Sequence, residues 1–60
     1  MLGYRVYFVD ASGGVSDAQW LKASTDEEAL TEAEPLQRHF VREVWLYHRE
    51  VGRLPSLKHL

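Results

Sequence analysis

Apolar and polar positions alternate along the first stretch of the chain, with Tyr4, Val6 and Phe8 out of phase with Arg5, Tyr7 and Val9. A period of two in β-branched and aromatic residues predicts a strand over Leu2 to Asp10, with Arg5 on its more exposed side. Asp10-Ala11-Ser12-Gly13-Gly14 reads as a turn, because Asp and Ser bond nearby backbone and glycine adopts positive φ. Val15 to Ser24 is the return strand, with Trp20, Leu21 and Ala23 as apolar positions. Its imperfect alternation suggests a bulge. Thr25-Asp26-Glu27-Glu28 is a capping box: Thr25 accepts from the N3 amide, and Glu28 reaches back to the cap amide. Three acids in the first turn suit the helix dipole, Ala29, Leu30 and Ala33 supply an apolar stripe, and Pro35 predicts an end at Glu34.

Residues 36–54 fit two patterns. At about 100° per residue, Leu36, Phe40, Val44, Tyr47, Val51 and Leu54 share one helix side, with Arg38, Arg42, Arg49 and Arg53 opposite. Val41, Trp45 and Leu46 fall outside that stripe. In a hairpin, Val44 and Leu46 alternate with Glu43, Trp45 and Tyr47, and Val51-Gly52-Arg53-Leu54 pairs back. Its turn near His48-Arg49 lacks a glycine.

Three segments carry a resemblance. Tyr4-Arg5-Val6-Tyr7-Phe8-Val9-Asp10 precedes a glycine turn, and Ala23-Ser24-Thr25-Asp26-Glu27-Glu28-Ala29-Leu30 follows. Glu43-Val44-Trp45, Arg49 and Val51-Gly52-Arg53-Leu54 close the chain. Together they resemble a group of short uncharacterised proteins common in alphaproteobacteria. The resemblance covers nearly the whole chain and carries no catalytic motif. It implies an α+β fold in ββαββ order, two hairpins and one helix on one sheet face, with ββα and a long C-terminal helix as the alternative. Leu46-Tyr47-His48 departs from the group's polar, glycine-containing turn. Residues 1–54 then form one small domain, and 55–60 a flexible tail.

Composition narrows the chemistry. Sixty residues allow one domain, and without cysteine there is neither disulfide nor thiolate metal site. Met1-Leu2-Gly3-Tyr4-Arg5 opens straight into patterned sequence, and no apolar run nears the roughly 18–20 residues of a membrane span. The expectation is a cytoplasmic protein. Residues 1–35 hold two basic against seven acidic groups (net −5), and residues 36–60 five against two (net +3). The serines occupy turns, a strand, a cap and the tail, without a nucleophile motif, and Gly13-Gly14 lacks the rest of a phosphate loop. His39, His48 and His59 are nine and eleven residues apart, which matches no ligand spacing. We expect no catalytic residues, metal, cofactor or small-molecule substrate, since so short a chain lacks the mass for a water-excluding pocket.

A single helix covers one sheet face. Val6, Phe8, Val44 and Leu46 are expected beneath it, which turns Arg5, Tyr7, Val9, Trp45 and Tyr47 outward, joined by Trp20 or Leu21 according to register. Such a face suits a protein–protein interface, most simply a homodimer that supplies the core a short chain lacks. The bland possibility is that Arg5 and Lys22 cover the rings with their aliphatic stems. Single-stranded nucleic acid is the alternative ligand, disfavoured by the net charge of −2. The segment Thr25 to Leu30 also resembles small antitoxin domains, whose remaining pattern is missing.

Overall fold

Residues 1–57 are described by a computed structural model. The chain runs β1 (Leu2–Val9), β2 (Val15–Ala23), α1 (Asp26–Ala33), β3 (Val41–Leu46) and β4 (Arg49–Leu54). All pairings are antiparallel in one four-stranded sheet of order β2-β1-β3-β4. This is the ββαββ arrangement. Residues 36–54 do not form the alternative long helix.

The first turn is organised by one carboxylate. Asp10 Oδ1 accepts from the Ser12 amide (3.0 Å), the Ser12 hydroxyl (2.7 Å) and the Gly14 amide (2.9 Å), while Gly13 takes φ +89°. The register then slips, so that Phe8 pairs with Asp17 and Val9 with Val15, leaving Ser16 as the extra residue of a bulge.

Thr25 caps α1, its hydroxyl accepting from the Glu28 amide at 3.1 Å. Glu28 reaches one residue further back than the capping box predicts, accepting from the Ser24 amide at 2.8 Å. The helix closes on Glu34 as cap, which keeps helical dihedrals (φ −54°, ψ −46°) and donates its amide to the Leu30 carbonyl at 3.1 Å.

The core lies between α1 and one sheet face: Tyr4, Val6 and Phe8 from β1, Ala23 from β2, Val44 from β3, and Ala29 and Ala33 from α1. The alanines let the helix sit close, and Leu30 lies over Gly52, where an added Cβ would come within 2.8 Å of Leu30 Cδ2. Phe40 closes one end against Phe8, ring centroids 6.5 Å apart.

Two polar constellations fasten the layers. The buried Tyr4 hydroxyl donates to Asp26 Oδ1 at 2.8 Å, and Arg49 Nη1 donates to Asp26 Oδ2 at 3.0 Å, so β1 and β4 both grip the start of α1. At the other end Arg42 is 1% exposed and donates to the carbonyls of Glu34, Leu36 and Pro55. The arginine that a helical reading sets on an exposed stripe is therefore the most interior charge. Pro55 to Leu57, expected to begin the tail, is tied down by that bond and by the Leu57 amide donating to the Arg38 carbonyl at 2.8 Å. Residues 58–60, including His59, lie outside the described residues.

Three aspartates make the fold acid-sensitive. Arg49, then Tyr4, holds the Asp26 carboxyl below its usual value; Ser12 and Gly14 do so for Asp10, and Gln37 for Asp17. A carboxyl lowered in the folded state contributes stability above its unfolded pKa, near 3.9, and loses it as pH falls through the folded value. The melting temperature, followed by circular dichroism, should hold from pH 7 to about 5 and then fall toward pH 3. An Asp26→Asn variant should start lower and fall by less.

Candidate functional site

The face of the sheet away from α1 is assembled by register. Alternation puts Gly3, Arg5, Tyr7 and Val9 there from β1, because Tyr4, Val6 and Phe8 point into the core. Arg5 stands between Trp20 on β2 and Trp45 on β3, and Tyr7 between Ala18 and Glu43. Beyond β3, Glu50 opposes Trp45 and Arg53 opposes Glu43. Two rows thus cross the sheet: Trp20–Arg5–Trp45–Glu50 and Ala18–Tyr7–Glu43–Arg53.

Arg5 is the hub. Its guanidinium carbon lies 4.6 Å from the Trp20 ring centroid and 5.9 Å from that of Tyr7. This stacking covers one side of Trp20 but leaves the residue 69% exposed, so the arginine stem does not turn the patch into ordinary surface. Trp45 is half-buried, its indole N–H donating to Glu43 Oε1 at 3.2 Å. Glu43 Oε2 in turn accepts from Arg53 at 2.6 Å.

Gly3, Arg5, Tyr7, Trp20 and Tyr47 line one shallow hollow of ≈ 290 Å³. Its lining offers one cation and three aromatic rings, suited to ring packing and to meeting a carboxylate. Of the residues expected on this face, four therefore surround one hollow, and Trp45 adjoins them through Arg5. Val9 lies apart, half-buried at the far end of β1, lining a separate hollow of ≈ 240 Å³ with Val41 and His39. Between the two candidates on β2, Leu21 packs on the core and Trp20 faces out.

Tyr47 belongs to the turn between β3 and β4, not to a strand, with φ +56° and 77% exposure. That left-handed conformation costs a residue with a β-carbon roughly 1–2 kcal/mol, and glycine or asparagine adopts it more readily. Replacing Tyr47 with asparagine should raise the melting temperature by about 3–5 °C.

Sequence reading left out Gly3, Glu43, Glu50 and Arg53. Gly3 and Glu43 follow from strict alternation, Gly3 sharing the parity of Arg5 and forming the floor of the hollow. Glu50 and Arg53 do not, because a bulge at Val51 shifts the pairing between Val44–Gly52 and Trp45–Glu50.

Among the described residues no three histidine, aspartate or glutamate side chains group as a metal site, and no helix is long and apolar enough to cross a membrane. Comparison with protein-family models, characterised proteins and solved structures returned no match to this chain.

Proposed function

We propose that this chain is a non-enzymatic protein-interaction module that docks through its open sheet face, most simply with a second copy of itself. The observation that carries the reading is the pair of rings left in water around Arg5: Trp20 at 69% and Tyr47 at 77% exposure. Tryptophan, tyrosine and arginine are the residues that anchor interfaces, and a contiguous aromatic patch on a small domain marks a docking surface. A sixty-residue chain buries only about 60% of its extended surface, so association adds core that the monomer lacks. Single-stranded nucleic acid fits less well, since Glu43 and Glu50 share the face with the cations.

Light scattering over a dilution series tests the self-association. The expected mass is twice the 7.0 kDa of the single chain, falling to that value on dilution. A mass of 7.0 kDa at every concentration overturns the dimer. Salt-sensitive binding of short oligonucleotides in its place moves the face to nucleic acid.

A further inference from the structure

We propose a specific arrangement for that dimer, resting on the docking reading above: two open faces stack about a two-fold axis parallel to the strands, with β1 over the partner's β3 and β2 over the partner's β4. The register makes the face complementary to itself under this rotation, which also lays Trp20, with its indole N–H, over the partner's Glu50 carboxylate. An axis between β1 and β3 lays each β1 residue over the residue that neighbours it within its own sheet. Arg5 then meets the partner's Trp45, Tyr7 meets the partner's Glu43, and Val9 meets the partner's Val41. At one end the hollow that Gly3 and Tyr47 line meets its own copy, and on the flank the small Ala18 receives the partner's Arg53. Cation meets ring, hydroxyl meets carboxylate, apolar meets apolar, and large meets small.

Charge fits the same rotation. Lys22 and Arg5, on the β2–β1 half, have no ion pair among the described residues. On the open face the β3–β4 half presents Glu43 and Glu50 against Arg53, 3.7 Å from Glu50, while Arg42 and Arg49 turn to the side of α1. Laying β2 over the partner's β4 brings the unpaired cations toward that surplus of carboxylate twice per dimer. A two-fold axis across the strands would instead stack β2 on β2, the competing arrangement that cross-linking separates.

The area suffices. Four strands at about 4.8 Å spacing, with an eight-residue central strand at about 3.3 Å per residue, give roughly 500 Å² in projection. Side-chain relief brings this toward the roughly 800 Å² per partner of a standard interface.

The absence of native cysteine allows a clean test. Ala18 and Arg53 lie on opposite edge strands, too far apart to be bridged within one sheet. Chains carrying Ala18→Cys and chains carrying Arg53→Cys are treated with a short bismaleimide, separately and as an equal mixture. A linked dimer band in the mixture, and in neither variant alone, is the expected result. Linking of Ala18→Cys chains to one another places β2 on β2 and overturns the arrangement. So does an absence of linking in every sample while light scattering still reports a dimer. The first outcome leaves docking through the open face intact, the second leaves it to the Trp20→Ser variant to decide whether the dimer uses that face, and a monomeric mass at every concentration removes the dimer itself.

Discussion

Replacing Arg42 with methionine should remove a large share of the protein's stability at 25 °C, read as a marked fall of the urea midpoint by circular dichroism. The side chain is 1% exposed, and its guanidinium donates to the carbonyls of Glu34, Leu36 at 3.0 Å and Pro55 at 3.0 Å. These acceptors are main-chain atoms, so removing the arginine removes none of them. Swapping a buried ion pair for apolar residues is often neutral because both partners disappear; here the Leu36 and Pro55 carbonyls stay behind without that donor, and Glu34 keeps only the longer bond from Arg38 Nε at 3.4 Å. Each orphaned group costs about 1–3 kcal/mol, so the two carbonyls together cost about 2–6 kcal/mol. A sixty-residue domain holds about 3–9 kcal/mol in total. Burial pulls the Arg42 pKa down, with the Glu34 carboxylate opposing and Arg38 adding to the shift, and Nε has no acceptor. Arg42→Lys keeps the charge but not the planar fork, and should fall between wild type and methionine. A methionine variant with the wild-type midpoint would show that the Leu36 and Pro55 carbonyls find other donors.

Replacing Trp20 with serine should weaken self-association about 30-fold or more while leaving the fold in place. The two effects separate because Trp20 contributes little to the core: it is 69% exposed, and its close contact is the stacked Arg5. Light scattering at a concentration where the wild type is dimeric should return the single-chain mass, with a melting temperature within about 3 °C of wild type. An unchanged dimer in this variant would move the interface to another surface.

The strands, the helix and the division of β1 into a buried and an open side were legible because each is a local pattern. Tyr4, Val6 and Phe8 alternate with Arg5, Tyr7 and Val9, and Thr25 with Glu28 marks the helix start. The C-terminal hairpin was harder to read. A two-residue turn at Tyr47-His48, followed by the bulge at Val51, breaks the period of two. Val44, Tyr47, Val51 and Leu54 consequently fall at helical spacing without forming a helix. Arg42 was illegible for another reason: its burial depends on carbonyls six, eight and thirteen residues away, which only the folded chain brings together. Tyr4 reaching Asp26 across twenty-two residues has the same character. The open face was visible as a set of parities, but not as one hollow. Trp20 was chosen over Leu21 by the sheet register, and Tyr47 was placed by a backbone conformation that its residue type disfavours.

The third Arg42 bond has a consequence for the segment that follows the sheet. One buried guanidinium joins the Pro55 carbonyl, after β4, to the Glu34 and Leu36 carbonyls, after α1. Pulling the chain away beyond Leu54 therefore strips that cation of an acceptor and carries the disturbance across to the end of the helix.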